Sequence, residues 1–402
     1  MKFALACVGS RGDVEPFAAV GRELLRRGHD VRMAFPPNML GFIESAGLAA
    51  VGYGPDARAL QDPDFVRSFG PARSPANVLG EIMEQVTQFW PQMGTTLTSL
   101  AHGADLLLTE ASSQGLAANV AEYYGIPLAT LRFFPALDTE PDDPCGPVVT
   151  GLQDAQRREL GLPPVTERGS PPVLEIQAYD EFWFPELVAA WAEQNTRRPF
   201  VGSLTLELPT DADEEVLSWI AEATPPIYFG FGSSVRVAFP AQAVAVISAA
   251  CAQLGERALI CAGGSDFTQV PHFDNVKVVD AVNHATVFPA CRAIVHHGGA
   301  GTTAAAMRAG IPALIQWLWV DQPIWAAAVE RFQVGIGRRF SAVTPDVLVR
   351  DLRTILSPQF ALRAREVASN VTKPAESVAN AADLLEDAVR SAQTVLPSSE
   401  TD

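Results

Sequence analysis

The stretch AIVHHGGAGTTAAAMRAG, Ala293 to Gly310, sets an apolar run against two adjacent histidines, then glycines and threonines, then an alanine-rich run. The first part has the composition of a strand and the last that of a helix, so the glycines fall on a strand-to-helix junction. Gly298, Gly299 and Gly301, with Ala300 between them, let bare backbone approach a ligand. The first turn of the following helix offers unpaired N–H groups at the positive end of its dipole. A phosphate or diphosphate is the natural occupant, although the same glycines would also serve a helix start that only needs close packing. Side chains alternate across a strand, so His296 and His297 point to opposite faces. The expectation is that His297 lines the pocket, with a hydroxyl from Thr302 or Thr303, while His296 belongs to the core.

The grammar around this junction repeats. IYFGFGS, RALICAG, NVKVVDAV, CRAIVHH, PALIQW and VGIGRR read as short buried strands, with helices expected from Pro240 to Leu254, from Thr302 and after Asp321. The N-terminal half runs the same way: KFALACVG, a helix through VEPFAAVGRELLRRG that stops at Gly28, DVRMAFP, ADLLLTE, SQGLAANVAEYYG and IPLATLRFF. Strands alternating with helices imply parallel sheets with crossover helices, here in two consecutive α/β units. Between the halves, residues 206–226 turn acidic and proline-flanked, as at a joint. Long irregular stretches are expected from Gly54 to Ser74 and from Pro135 to Gly151.

With 402 residues, 48% of them hydrophobic, the chain can build two ordinary cores at roughly 100 to 200 residues per domain. No apolar run reaches the length of a bilayer span, and the N-terminal apolar run is too short for a signal-peptide core, so a cytoplasmic protein is expected. Five scattered cysteines without a CxxC pair indicate neither a disulfide framework nor a zinc site. A net charge of -17 opposes nucleic acid and an anionic membrane surface. It leaves only a local, peripheral membrane contact, for which Arg22, Arg26 and Arg27 are candidates if they are not simply the solvated face of their helix.

Two further glycine junctions follow expected strands: FGFGSS, in which Ser233 could cap a helix or touch phosphate, and GSRGDVEP, Gly9 to Pro16. Asp13 in the latter reads either as a helix N-cap or as a general base facing an acceptor hydroxyl. A helix N-terminus would stabilise its carboxylate and make it a weaker base. Asp321 and Gln322, at the end of another strand, offer donors and acceptors suited to sugar hydroxyls, or cap the next helix. The acidic pairs Asp62/Asp64 and Asp211/Asp213 lie away from any strand end, so no metal site is expected; GxSxG, HExxH and P-loop patterns do not occur.

GSRGDVEPF (Gly9 to Phe17), VNHATVFPACRAIVHHGGAGTT (Val282 to Thr303) and AGIPALIQWLWVDQPIWAAAVERFQVGIG (Ala309 to Gly337) resemble the family 1 glycosyltransferases. They are most similar to the actinobacterial branch acting on glycopeptide antibiotics and on mycobacterial glycopeptidolipids and phenolic glycolipids. The resemblance spans the chain and implies an α/β GT-B fold, two Rossmann-like domains facing across a cleft. An acceptor-binding domain would occupy 1–205, the acidic linker 206–226 and a nucleotide-sugar domain 227–374. A helix over 375–391 would cross back to the first domain, and 392–402 would form a flexible tail.

In that family the diphosphate sits on residues matching Ser10, Arg11, Gly12, Ser233, His297, Gly298, Gly299, Ala300, Gly301 and Thr302. The nucleobase matches Asp280, Ala281 and Val282, the donor sugar Asp321 and Gln322, and the base Asp13. The resemblance implies inverting transfer without a metal or cofactor, the nucleotide sugar being a co-substrate. The tryptophan-containing GWxPQ pattern and the histidine base of the plant branch are absent. That favours a dTDP-deoxysugar, rhamnose or 6-deoxytalose, over a UDP-sugar. A lipid or glycopeptidolipid acceptor is expected by likeness, and Phe65, Phe69, Phe89, Trp90, Phe133 and Phe134 would suit its apolar body, though Phe89 and Trp90 equally fit a helix core. The alternatives are a UDP-sugar-dependent sterol or polyketide glycosyltransferase and, in another class, a sugar-nucleotide epimerase.

Overall fold

The computed structural model describes residues 1–56, 87–135, 146–164, 174–193, 198–232, 237, 239–318 and 321–395. They divide into two compact units: residues 1–56, 87–206 and 373–395 in the first, and 207–372 in the second.

The first unit carries β1 (Lys2–Ala6), β2 (Asp30–Phe35), β3 (Val51–Gly52), β4 (Leu106–Glu110), β5 (Leu128–Arg132) and β6 (Leu174–Gln177). All pair in parallel, in the order β3-β2-β1-β4-β5-β6. Its helices are α1 (Arg11–Arg26), α2 (Leu40–Ser45), α3 (Trp90–Ala101), α4 (Gln114–Tyr124), α5 (Gly146–Glu159) and α6 (Pro185–Glu193). Strands such as Leu106–Glu110 are buried at every position, as parallel strands covered on both faces must be.

The second unit carries α7 (Asp213–Ala221), β7 (Ile227–Gly230), α8 (Pro240–Leu254), β8 (Ala258–Cys261), β9 (Val276–Val279), α9 (His284–Val287), β10 (Ala293–His296), α10 (Ala300–Arg308), β11 (Ala313–Trp317), α11 (Gln322–Arg331), β12 (Gly335–Arg339), α12 (Pro345–Ile355) and α13 (Pro358–Ala368). Its sheet is again parallel, in the order β12-β11-β10-β7-β8-β9. Each unit therefore has the doubly wound order with one switch point, between β1 and β4 in the first and between β7 and β10 in the second. Ligands of open α/β sheets bind beside the carboxyl ends of the strands at such points.

Three details depart from the sequence expectations. The joint is built: α7 packs on α9, and Asp213 of its first turn accepts hydrogen bonds from Thr210 N, Thr210 Oγ1 and Asn283 N, each at 2.8 Å. The Asp213 carboxylate of the second acidic pair is thus spent on Thr210 and on the Asn283 backbone. Helix α5 begins at Gly146, inside a stretch read as irregular. The C-terminal helix, α14 (Pro374–Val395), runs into the stretch expected to be a flexible tail and packs on α1.

Ion pairs fasten α14. Arg27 of α1 meets Asp383 at 2.6 Å and Glu386 at 3.0 Å, and His29 meets Glu386 at 2.9 Å. Arg26 pairs with Glu23, and Arg22 donates to the Leu206 carbonyl. The three arginines considered for a membrane contact are all engaged within their own unit. No helix among the described residues is long and apolar enough to cross a membrane.

Candidate functional site

In the second unit, β10 ends at His296 and α10 opens at Ala300 with Gly299 as N-cap, a residue whose lack of a side chain leaves the first-turn N–H groups uncapped by it. Gly298 adopts φ +100°, and a Cβ there would stand 2.7 Å from Ile315 Cγ2 and 3.1 Å from Gln322 Cβ. Only glycine fits. Gly301, by contrast, faces open space. Thr303 is buried with its hydroxyl committed to the Gly299 carbonyl at 2.9 Å, whereas Thr302 is half-buried at the rim.

Both histidines carry a buried ring nitrogen without a hydrogen-bond partner, Nε2 in His296 and Nδ1 in His297. His296 is 2% exposed, and its Nδ1 accepts the Gly298 N–H at 3.0 Å. An accepting Nδ1 places the ring proton on Nε2, so a donor is left unmatched. Its burial is that of the core residue expected there, yet its Nε2 has no partner, whereas a buried polar group is normally satisfied. The half-buried His297 ring lies over Gly232 and Gly299, and a Cβ on Gly232 would collide with it. Burial lowers its pKa to about 4 and drives that of His296 well below the ordinary 6.5, so both rings are neutral donors rather than fixed charges.

Asp321 immediately precedes α11, and its carbonyl accepts from Ile324 N at 2.9 Å. Gln322 is buried, its Oε1 accepting from Leu318 N at 2.7 Å, and its Cβ abuts the Gly298 turn. These two candidates are brought beside the glycine junction. Asp280, Ala281 and Val282 follow β9; Val282 is buried, and the carbonyls of Asp280 and Ala281 accept from Gly263 N and Thr210 Oγ1. His284, which sequence reasoning passed over, contacts the Tyr228 hydroxyl through Nε2 at 3.1 Å and stacks on Phe288. Ser233 lies outside the described residues.

In the first unit the junction after β1 turns at Gly9, φ +121°, where a Cβ would collide with the Asp13 carboxylate. Ser10, not Asp13, is the N-cap of α1; Asp13 is the third helical residue, and its Oδ2 accepts from Ser10 N at 2.7 Å and Ser10 Oγ at 3.1 Å. Loss of solvent pushes its carboxyl above the ordinary 3.8, against the Ser10 bonds that pull it down. Desolvation therefore outweighs the helix end, and the expectation of a weakened base is reversed. Arg11 is held by Glu15 at 3.0 Å and lies over the Phe42 ring, while Gly12 is exposed.

The opposite side of this switch point carries a residue that went unread. Glu110 ends β4 nearly buried, accepting from Ser113, from Ser112 at 3.0 Å and from Thr109 at 3.2 Å. The strand ADLLLTE ends in this acid, the same strand-end signal that singled out Asp13.

Among the acceptor-side aromatics, Trp90 is 2% exposed and sits in the core with Met93, Leu97 and Leu116, so it presents no surface to a ligand. Phe89 is 36% exposed beside it. Phe133 packs edge-on against Phe17 at 6.1 Å, and Phe134 is half-buried. Phe65 and Phe69 lie outside the described residues. No cluster of metal-ligating side chains occurs among the described residues.

The chain matches two family models: the glycosyltransferase family 28 N-terminal domain over residues 3–140, and the erythromycin biosynthesis protein CIII-like C-terminal domain over 249–386. It is 56% identical to an uncharacterized glycosyltransferase of Mycobacterium leprae, over 96% of this chain and 97% of that protein. It is 28% identical to glycosyltransferase GtfE of Amycolatopsis orientalis over 99% and 100%. A sterol 3-beta-glucosyltransferase of Arabidopsis thaliana is 29% identical, over 95% of this chain and 67% of that protein.

Solved structures share the fold. The calicheamicin glycosyltransferase CalG4 superposes with a TM-score of 0.69 at 18% identity, covering 98% of this chain and 99% of that one. The spinosyn rhamnosyltransferase SpnG gives 0.68 at 18% identity, covering 96% and 100%. The glycosyltransferase VinC, solved with DTDP, gives 0.64 at 20% identity, covering 98% and 100%. Two parallel six-stranded sheets of the doubly wound order, with a glycine-lined helix start at each switch point, are joined to full-length similarity at 56% identity: the chain belongs to the GT-B glycosyltransferases of family 1.

Proposed function

We propose that this glycosyltransferase is an inverting enzyme. It moves a deoxyhexose, rhamnose or 6-deoxytalose, from a dTDP-sugar to a hydroxyl of a lipid or glycopeptidolipid acceptor. The observation that carries the donor half is the pair of buried, unpartnered histidine nitrogens beside the uncapped start of α10. Neutral N–H donors and a helix N-terminus suit a diphosphate, whose charge grows as the sugar leaves.

In this reading Gly298 to Thr302, with His296 and His297, hold the diphosphate. Asp280 to Val282 meet the nucleobase, and Asp321 with Gln322 the sugar. Asp13 takes the acceptor proton as the hydroxyl attacks the anomeric carbon. A protein solved with DTDP and a rhamnosyltransferase among the structural neighbours favour a dTDP-deoxysugar. The plant sterol glucosyltransferase favours the second reading, a UDP-sugar and a sterol-like acceptor. No metal is assigned a role.

A thermal-shift panel of dTDP, UDP, GDP and their sugar conjugates separates them, since a ligand that binds only the folded state raises its stability with saturation. Selective stabilisation by dTDP or dTDP-rhamnose supports the first reading. A selective UDP-sugar response supports the second, and silence toward all nucleotides removes both.

A further inference from the structure

A polar cluster closes the carboxyl ends of β5 and β6, apart from the residues assigned to the donor, the base and the apolar body of the acceptor. Leu107 and Leu128 face the same core as Ala4 and Ala34, and side chains two apart on a strand share a face. Thr130 and Arg132 therefore continue the face of Leu128, and the register sets Glu175 beside Thr130 and Gln177 beside Arg132. Four polar side chains replace the apolar lining there. The Gln177 N–H donates to the Pro199 carbonyl at 2.8 Å, which lays the segment carrying Arg198 along the outer edge of β6.

Both charge and hydrogen-bonding capacity are left over in this cluster. Glu175, with a side chain 13% exposed, stands 3.4 Å from Arg132 Nη2 and 2.7 Å from Arg198 Nε. Among the described residues it is the one carboxylate paired with either guanidinium, so two positive charges meet one negative. The Arg132 contact is at the long limit of a hydrogen bond. Its buried Nε–H has no partner, and neither has the hydroxyl of the fully buried Thr130. A guanidinium carries five donors in a planar fork, and buried donors are normally matched. Arg198 is held from its other side by the Trp191 ring, 4.8 Å from the guanidinium carbon. Gln177 Oε1 is taken by the Tyr179 hydroxyl at 2.7 Å and so does not supply the missing acceptor.

We infer that Arg132 and Arg198 form an anion site for a carboxylate or phosphodiester carried by the acceptor. The inference rests on the reading that the first unit holds the acceptor. One positive charge in excess suits a singly charged oxyanion, and the guanidinium fork matches its two oxygens. The two side chains are 20% and 26% exposed, open to a ligand yet partly desolvated. Arg132 ends β5, two strands from β1, which is about 10 Å at the usual strand spacing. Phe133, the next residue, packs on Phe17 of α1, the helix that bears Asp13. An acceptor anchored by its charge at Arg132 has its hydroxyls on the same edge of the sheet as the base.

The test is a titration of the arginine Nε–H signals by nitrogen-15 NMR in the full chain, the Arg132 signal being assigned by its loss in Arg132→Lys. The probes are glucuronate and dimethyl phosphate, with glucose and sodium chloride at equal ionic strength as controls. A saturable shift of the Arg132 signal is expected with an anion and not with the controls. Glucuronate alone marks an acidic sugar as the source, and dimethyl phosphate alone a phospholipid head group. Arg198→Gln should weaken binding about tenfold. Glu175→Gln, which removes the competing carboxylate, should tighten it about three- to tenfold. An ion triad that serves only the fold gives no such gain, and the opposite signs keep one variant decisive if the other does not fold. No shift with either anion, the same shift with chloride, or unimproved binding in folded Glu175→Gln overturns the inference. A shift in a chain that no nucleotide stabilises upholds the anion site and removes the acceptor as its occupant. An unmoved signal in a chain stabilised by dTDP strikes the anion site alone.

Discussion

The N–H of Gly298 donates to Nδ1 of His296 at 3.0 Å, across a turn of two residues. This bond fixes the tautomer of a buried ring and the path of the chain into α10 together.

With its proton held on Nε2, His296 should donate to the diphosphate. Loss of one buried hydrogen bond costs about 1–2 kcal/mol, so His296→Ala should weaken nucleoside diphosphate binding about tenfold by calorimetry. Binding of the nucleoside without phosphates should be unaffected. Equal losses for both ligands would show that the ring only supports the fold.

Asp13→Asn should cut turnover by about 10²- to 10⁴-fold, the usual contribution of a general base, with nucleotide affinity preserved. Stability supplies a second readout. The folded carboxyl binds its proton more tightly than the ordinary 3.8, so the stability it contributes is present below that value and is lost as pH rises through the folded pKa. The asparagine variant should therefore melt at a higher temperature than the native protein at pH 7, and the gain should vanish near pH 3. A variant that turns over normally would remove Asp13 from catalysis.

Gly9 combines φ +121° with a Cβ position already filled by the Asp13 carboxylate. Gly9→Ala should cost about 1–3 kcal/mol in urea unfolding and displace Asp13, so turnover should fall even under conditions where the variant remains folded. Full activity in a folded Gly9→Ala protein would mean that this loop tolerates another path.

Acid should loosen the C-terminal helix. Burial opposes ionisation of Glu386, but hydrogen bonds from His29, Arg27 and Arg390 outweigh it and hold the carboxyl at about 2. A depressed carboxyl contributes stability above its unfolded value near 4.5, and that contribution is lost as pH falls from there toward 2. Glu386→Gln should lower stability at pH 7 by about 1 kcal/mol, screened by salt because its partners are partly exposed, and by little at pH 2.5. Hydrogen exchange along α14 measures it; protection equal in the two proteins at pH 7 would count against the latch.

The α/β alternation, the two-unit plan and the glycine junctions were legible along the chain, because buried parallel strands and amphipathic helices leave separate periodicities in it. The helix from Pro240 to Leu254 is legible to the residue. Proximity in sequence also delivered His297 and the Gly298 to Thr302 run as neighbours.

What depends on surroundings followed from packing in three dimensions. Of the two roles open to Asp13, the cap goes to Ser10, because chain direction at Gly9 places the carboxylate one turn further on. Desolvation, a property of neighbours distant in sequence, sets the sign of the Asp13 shift against the local helix end. His296 looks like a core residue in a one-dimensional alternation; its unmatched Nε2 emerges only when every group around it is placed. Glu110 stands beside Cys7 because β4, about a hundred residues on in the chain, pairs with β1. Strand pairing of that range leaves no mark in the local sequence, since backbone hydrogen bonds are the same for every residue type and only packing chooses the partner.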